Sequence, residues 1–206
     1  MKTLLMTISF LFAAMAGTRC ASYDKGNEVT EVRKVEAFSS IQVTAVASVY
    51  FTQGSAYSLK IQGKEKLVKK IKISVNNGLL SIDSERDKNG NINGNNGVDI
   101  YITAPDLKSV DFTGVGSFNC KTPLKLNDVK FTVEGVGKLK VDDLKCKSLN
   151  VDLQGVGKAD IHVNCDRLAA NVEGVGGIDL SGRAGTANIS KSGIGGVDTD
   201  NLKIGK

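Results

Sequence analysis

The sequence predicts an all-β protein, a parallel β-solenoid whose coils are each about 20 residues long. Three observations predict this fold. A Gly-Val-Gly motif starts at residues 114, 135, 155 and 174 and a Gly-Ile-Gly motif at residue 193, so the spacings are 21, 20, 19 and 19 residues. Apolar and polar residues alternate at the same positions around each motif. The chain also combines 23 glycines and 2 prolines with only 5% aromatic residues and no Trp, a composition typical of short strands, tight turns and aliphatic cores.

Residues 1–21 are predicted to be a secretory signal peptide. Lys2 supplies the positive start, an apolar stretch follows it, and Ala14-Met15-Ala16 has the small-x-small form of a signal-peptidase site. The stretch is too short for a transmembrane helix. We therefore expect an exported protein of the periplasm, the outer-membrane surface or the medium, with residues 22–206 forming a single β-solenoid domain.

Cys20 follows the apolar stretch where a lipidated cysteine would lie, so a lipoprotein is the alternative form of export. Lipoprotein sites place an aliphatic residue three positions before the cysteine and a small residue directly before it. Gly17 and Arg19 depart from both preferences. Soluble export is therefore the preferred prediction.

The charge of the chain argues against a nucleic-acid partner. Loss of Lys2 and Arg19 with the signal leaves 25 basic and 22 acidic residues, a net charge of +3. These charges are spread along the chain, with no basic run interleaved with aromatic residues of the kind that binds nucleic acid.

Residues 35–105 are predicted to form an irregular first half of the solenoid rather than a separate β-layer. Residues 22–40 are polar and are expected to be a tether leading into the first strand. Alternating apolar residues then predict strands, separated by a helical turn within Lys64–Lys70 and a tight turn at Asn76-Asn77-Gly78. Residues 87–97 are almost all Asn and Gly, and they predict a flexible surface loop because they offer no apolar area to offset the entropy of ordering.

Residues 106–206 are predicted to form the regular coils. Aligned on the first glycine of each motif, the coils share apolar columns. Four residues before that glycine stand Val110, Phe131, Val151, Ala170 and Ile189, and four residues after it stand Phe118, Leu139, Ala159, Ile178 and Val197. One coil cannot bury its apolar face alone, whereas coils stacked about 4.8 Å apart bury it and pair their backbones in parallel.

The paired glycines are predicted to mark the bend between two strands, where a positive φ or the close approach of the next coil excludes a Cβ. A leucine-rich repeat would need a leucine pattern and an Asn column that the coils lack, and a propeller blade would be about twice as long. The predicted structural glycines are Gly114, Gly116, Gly135, Gly137, Gly155, Gly157, Gly174, Gly176, Gly193 and Gly195.

Several motifs together point to a known family. They are the exported start, Phe38-Ser-Ser-Ile41-Gln-Val43, Tyr101-Ile-Thr-Ala-Pro-Asp-Leu107 and the Gly-x-Gly coils. Over residues 35–206 the chain resembles the putative auto-transporter adhesin, head GIN domain family. The resemblance implies a right-handed β-helix-like fold on bacterial envelope proteins, such as those of the Bacteroidetes. Members of this kind often continue for further coils, whereas this sequence stops at Lys206, which leaves open how the last coil is capped.

The sequence offers no residue set typical of an enzyme. His162 is the only histidine, which excludes metal sites and mechanisms that need several, and it is expected to be exposed. No Ser lies in a Gly-x-Ser-x-Gly elbow. The Gly-x-Gly motifs are not phosphate-binding loops, since no helix follows them.

An acidic ladder is the best candidate for a ligand site. Five positions after the first glycine stand Asn119, Lys140, Asp160, Asp179 and Asp198, so three carboxylates are predicted to stack on one outer face. Stacked carboxylates can bind Ca²⁺, which prefers oxygen ligands. A solvated polar column is the competing interpretation, because two like charges about 5 Å apart in water repel by only about 0.8 kcal/mol.

The cysteines of the coils are predicted to be structural. Cys146 and Cys165 occupy one apolar column with Leu126 and Ala184, so both are expected to be buried neighbours. Export permits a disulfide between them, but stacked positions of parallel strands seldom offer the required geometry. Cys120 is expected to be a lone buried thiol.

We expect a non-catalytic envelope or surface protein, an adhesin-like module that binds a glycan or a protein through polar outer ladders such as Asp111, Thr132, Asp152 and Asn171. An alternative is a structural or sensory envelope component that binds another bacterial protein, or a second copy of itself, through the edge of its last coil. A minor alternative is a calcium-dependent polysaccharide lyase at the acidic ladder, with Lys138 or Lys158 as its base.

Overall fold

The structure of the protein, a computed structural model, describes residues 27–85 and 97–205. These residues are almost entirely β-strand, with one short helix, α1 (Glu65–Val68). The first-half strands are β1 (Glu28–Arg33), β2 (Ser40–Val43), β3 (Val46–Gln53), β4 (Ser58–Lys64), β5 (Ile71–Asn76), β6 (Leu79–Ser84) and β7 (Val98–Ala104). The second-half strands are β8 (Ser109–Phe112), β9 (Val115–Cys120), β10 (Leu124–Lys125), β11 (Asp128–Val133), β12 (Val136–Leu153), β13 (Val156–Val172), β14 (Val175–Lys191) and β15 (Ile194–Ile204).

Each coil of the second half contributes strand segments to three sides of a solenoid. In β12 these segments are residues 136–141, 144–146 and 148–153, and each pairs in parallel with its counterpart in β13. The strand β13 pairs with β14 in the same way, and β14 pairs with β15 over the first two sides. The β-solenoid predicted from the Gly-x-Gly spacing is thus confirmed, with about five turns.

The register of the stack is the one that the glycine alignment predicts. Val110 pairs with Phe131, which pairs with Val151. Because strand residues point alternately to the two faces of a sheet, this register sends whole columns of aliphatic side chains into the interior.

Parallel pairing continues from the coils into the first half. On the third side β8 pairs in parallel with β2, and β2 pairs in parallel with β6. On the first side β9 pairs in parallel with β3, and β3 pairs in parallel with β7. Beyond these strands the pairing becomes antiparallel, through β4 and β1 on the first side and β5 on the third.

In the first half, the predicted tight turn is present, whereas part of the predicted tether is a strand. The predicted turn at residues 76–78 joins β5 and β6, with positive φ angles of 51° at Asn77 and 77° at Gly78, as a tight hairpin turn requires. The predicted polar tether of residues 22–40 is wrong where it covers β1, because Glu28–Arg33 pairs with β4 along six residues. Backbone pairing holds this strand in place although its side chains are largely exposed.

The core is one continuous column of apolar side chains enclosed by the three sides. Every side chain buried in the described residues is apolar or a cysteine thiol. Aromatic rings are few, and Phe118 links two others, with ring centroids 6.3 Å from both Phe51 and Phe131. Each fully buried aliphatic side chain stabilises the fold by about 1.5–3 kcal/mol. Ladders of aliphatic side chains can therefore form a stable core with few aromatic rings.

Some predictions fall outside the described residues. These are the signal peptide of residues 1–21, the role of Cys20 and nearly all of the Asn- and Gly-rich loop. Within the described ranges, the chain forms no helix with the length and apolar character needed to cross a bilayer.

Candidate binding face

The first side of the solenoid carries a single outward column that runs from β4 to β15. It contains the predicted acidic ladder and extends it through the first half of the chain. Successive pairings along the column join Lys60, Tyr101, Tyr50, Asn119, Lys140, Asp160, Asp179 and Asp198. We call the outward surface of this side, centred on that column, the binding face.

The acidic end of the binding face has the predicted register. Asp160 pairs with Asp179, and Asp179 pairs with Asp198. Lys158 lies among these carboxylates, with its Nζ 2.5 Å from Oδ2 of Asp179, and this hydrogen bond raises the pKa of the lysine. The ammonium group thus supplies a positive charge at the place where a cation would bind.

A calcium site at Asp160, Asp179 and Asp198 stays a prediction. The described residues contain no group of three or more His, Cys, Asp or Glu side chains arranged to hold a metal ion. The ion pair with Lys158 also engages one of the three carboxylates. Exposed carboxylates one strand apart repel weakly in water, so the column is stable as a solvated ladder.

The other end of the binding face is aromatic and basic. The rings of Tyr50 and Tyr101 stack with centroids 5.1 Å apart and planes 17° from parallel. The Nζ atom of Lys60 lies 4.2 Å from the centre of the Tyr101 ring, and the Nζ of Lys121 lies 6.0 Å from the centre of the Tyr50 ring. The four side chains form a cluster stabilised by ring stacking and by cation–π attraction, which is stronger for Lys60 than for the more distant Lys121.

Sequence reasoning did not find this cluster. Tyr50 and Tyr101 each occupy an outward position of a strand, a position the alternation of β3 and β7 predicts. The two strands are distant in sequence, and their direct pairing is a property of the tertiary fold. The only usable signal was that half of the four tyrosines stand at outward strand positions.

Asn119 continues the column beside Tyr50. Its Nδ2 donates to the carbonyl oxygen of Val49 at 3.2 Å and to Oγ of Ser117 at 2.8 Å. These bonds tie the side chain to the sheet, so the polar surface next to the tyrosine pair is rigid rather than adaptable.

An exposed aliphatic ridge borders the binding face. It consists of the middle residues of the Gly-x-Gly motifs, which pair coil to coil. Their exposed fractions are 48% for Val115, 55% for Val136, 53% for Val156, 48% for Val175 and 77% for Ile194. An apolar stripe repeated on every coil is unusual for a solvated surface and is typical of a contact region.

The third side presents the polar ladder predicted from the sequence. Asp111, Thr132, Asp152 and Asn171 pair in register. Lys130 bridges to Asp152 with Nζ 2.9 Å from Oδ2, and Oγ of Ser190 donates to Oδ1 of Asn171 at 2.7 Å. Part of this side forms a shallow recess of about 360 Å³, whose polar and small lining residues include Ser148, Asn150, Arg167, Ala169, Thr186 and Asn188.

His162 and the three cysteines of the coils have the exposure that the sequence predicts. His162 is exposed, as its outward position predicts, and its Nδ1 lies 2.9 Å from Oγ of Ser181. Cys120, Cys146 and Cys165 are buried free thiols. Cys146 pairs in register with Cys165 and hydrogen-bonds to it, which raises the pKa of the Cys146 thiol and lowers that of Cys165.

Comparison with known proteins gives one family and a set of similar folds. The family model described as putative auto-transporter adhesin, head GIN domain, matches residues 37–206. No curated protein matches the chain. Several solved structures are similar, and the three described below have identities that show the fold alone. A putative adhesin from Bacteroides fragilis NCTC 9343 is 22% identical, with a TM-score of 0.56, and the match covers 84% of this chain and 96% of the other.

The second structure is a putative adhesin from Parabacteroides distasonis ATCC 8503, 15% identical with a TM-score of 0.78, matched over 87% of this chain and 76% of the other. The third is named a putative lipid binding protein, from the same organism. It is 20% identical with a TM-score of 0.53, and the match covers 88% of this chain and 98% of the other.

Proposed function

The chain belongs to the putative auto-transporter adhesin, head GIN domain family, and from this premise we propose that it is a non-catalytic binding module of the bacterial cell envelope or surface. Its ligand is a glycan or a protein that lies along the outside of the solenoid. Export to the periplasm, the outer-membrane surface or the medium is part of this proposal, and it rests on the predicted signal peptide of residues 1–21.

The observation that carries the proposal is the unbroken outward column of the binding face. Strand pairing, antiparallel between β4 and β7 and parallel from β7 to β15, holds its side chains one strand apart, about 4.8 Å. Polar groups at regular spacing on a fixed sheet can bind an extended ligand without rearrangement of the backbone, which lowers the entropy cost of binding. Such a surface suits recognition of a long chain better than chemistry on a small substrate, which requires an enclosing cleft.

A binding array tests the proposal. Purified residues 22–206 are applied to immobilised glycans and host-matrix proteins, once with calcium and once with a chelator. We expect saturable binding to a defined set of ligands. A folded protein that binds nothing under either condition would overturn the proposal.

The calcium arm of the same array tests the acidic ladder. Binding that is lost with chelator, and lost again in an Asp179→Asn variant, would assign Ca²⁺ to the column of Asp160, Asp179 and Asp198. Equal binding with and without chelator would show that binding does not require Ca²⁺. Formation of unsaturated uronate products, followed by ultraviolet absorbance, would instead indicate lyase chemistry.

A second candidate function is docking to another envelope protein or to a second copy of the chain. The observation that favours it is the exposed aliphatic ridge, which ends at Ile194 on β15. The last described strand also leaves one edge without a partner in the described residues, and unpaired edges pair readily with other chains. Multi-angle light scattering of the purified protein tests self-association, and a strict monomer would contradict that form of it.

A further inference from the structure

We infer that the stack of Tyr50 and Tyr101, with Lys60 and Lys121 at its two ends, is a subsite for an acidic polysaccharide, one that carries repeated carboxylate or sulfate groups. We call these four side chains the tyrosine–lysine subsite. The inference rests on the proposed binding function and names the class of ligand that one part of the binding face would take.

The chemistry of the subsite follows from which parts of the side chains are free. Stacking covers one face of each tyrosine ring with the other ring, and the Lys60 ammonium group lies over the Tyr101 ring, 4.2 Å from its centre. The Lys121 ammonium group lies 6.0 Å from the centre of the Tyr50 ring. A neutral sugar that packs its C–H groups on Tyr101 would have to displace Lys60. The polar groups that the cluster offers to a ligand are the two phenol hydroxyls and the two ammonium groups.

These groups are hydrogen-bond donors that suit an anion. Lysine has three N–H donors and no acceptor, and a neutral phenol donates one hydrogen bond. Partial desolvation of the accessible Tyr101 phenol, with Asp99 and Tyr50 nearby, raises the pKa of Tyr101, so its hydroxyl keeps its proton. A carboxylate or sulfate oxygen accepts charge-assisted hydrogen bonds from such donors, which are stronger than those between neutral groups.

The geometry favours a linear polymer over a single ion. Lys60, Tyr101 and Tyr50 stand on adjacent strands, so their donors repeat about every 4.8 Å along the solenoid axis. The ligand is expected to lie along this axis at the basic end, since the carboxylates of Asp160, Asp179 and Asp198 repel an anionic chain from the other end. Asp99 beside Tyr101 is the acidic group at the subsite itself, and it limits affinity for anions.

A polysaccharide fits better than a nucleic acid. Proteins that bind single strands stack the bases on exposed aromatic faces, whereas here the two rings cover one face of each other and Lys60 lies over Tyr101. The net charge of the chain is also small, and its sequence contains no basic run of the kind that binds duplex DNA.

The test is affinity of purified residues 22–206 for immobilised alginate, dextran sulfate and unsubstituted dextran, with duplex DNA as a further surface. We expect binding to alginate or dextran sulfate, whichever anion fits, that weakens as NaCl is raised, and none to dextran. The double variant Lys60→Gln, Lys121→Gln should weaken this binding about 5-fold, since exposed ionic contacts are individually modest. The double variant Tyr50→Phe, Tyr101→Phe keeps the stacked rings but removes both hydroxyls, and it should weaken binding by about the same factor.

The matched control is Lys145→Gln, Lys147→Gln, which removes the same charge from exposed residues away from the binding face. Equal losses in both lysine variants would overturn the inference, because net charge alone would explain them. It is also overturned by binding to dextran or DNA alone, or by polyanion binding that both subsite variants leave unchanged. Those results would leave the proposed binding function intact. If the protein bound no glycan and no protein on the array, both the binding function and the subsite would be contradicted.

Discussion

At the scale of single residues, the glycines of the coils allow the backbones of neighbouring coils to approach closely. At nine of the ten predicted glycines, a Cβ would lie closer than 3.0 Å to a backbone oxygen of the neighbouring coil or strand. The exception is Gly137, where the Cβ would press on the side chain of Phe112 at 3.2 Å. At Gly116 and Gly176 a second reason applies, because φ is 141° and 148°.

Two alanine substitutions compare a glycine that contacts the neighbouring coil with a glycine that has free space around it. Gly157→Ala would push a Cβ into the carbonyl oxygen of Gly137 and force two coils apart, so we expect a loss of about 3 kcal/mol or more in the free energy of unfolding. Gly196→Ala meets nothing within 4 Å and should change stability by less than about 1 kcal/mol. Urea unfolding followed by circular dichroism measures both. Equal losses would contradict the explanation by close contact between coils, since a Cβ at Gly196 meets no neighbouring atom.

Asp111 is a residue that destabilises the fold while ionised. Its Oδ1 is buried and has no hydrogen-bond partner among the described residues. Burial raises the pKa of this carboxyl above its ordinary value of 3.8, and Lys130 opposes that effect. The folded state therefore holds the Asp111 proton more tightly than the unfolded state, and the contribution of this group to stability falls as the pH rises above the ordinary pKa.

The substitution Asp111→Asn tests this sign. The difference in melting temperature, variant minus wild type, should become more positive between about pH 4 and about pH 7, because only the wild type pays for ionisation. Measuring the difference cancels the titration of all other groups. A difference that is flat with pH would mean that the carboxylate is solvated in the folded protein.

At the scale of elements, one strand serves both the core and the outer surface. In β12, Val151 is fully buried, whereas Val136 of the aliphatic ridge is 55% exposed. Alternation with a period of two separates these environments along most of the strand. The ridge is the place where the usual pattern of apolar inside and polar outside is reversed.

Replacing each of these two valines with alanine measures how much each side chain contributes to stability. Val151→Ala removes two methyl groups from the packed interior and should cost about 2 kcal/mol. Val136→Ala should cost less than about 0.5 kcal/mol, because the side chain is already largely in water. Chemical unfolding of both variants gives the comparison. A large loss at Val136 would show that the ridge is covered in the purified protein, as self-association through it predicts.

At the scale of the whole molecule, stability depends on the position of a coil in the stack. The strands β12 and β13 have neighbours on both sides, whereas β15 pairs only with β14 among the described strands. The column of Phe118, Leu139, Ala159 and Ile178 is buried, but Val197 at the end of the stack is only partly buried. In a stack of nearest-neighbour contacts, an end coil opens without unfolding the rest.

Hydrogen exchange followed by mass spectrometry tests this gradient. We expect amides of β13 to be protected at least about tenfold more than amides of β15, with β14 between them. The antiparallel strands β1 and β4 provide the comparison at the opposite end of the first side. Uniform protection along the solenoid would indicate that β15 is covered, which dimerisation through its edge would explain.

The sequence by itself determined the coil, its register and its inward columns, because these follow from local alternation and from a repeat of about 20 residues that recurs five times. It also located the paired glycines, which stand at the first and third positions of the motif in every coil. The tyrosine–lysine subsite and the strand β1 depended on the tertiary structure. Tyr50 meets Tyr101, and β1 meets β4, only because strands far apart in sequence pair directly. No repeat relates those segments, so local pattern carries no information about their pairing, and packing of the whole first half decides it.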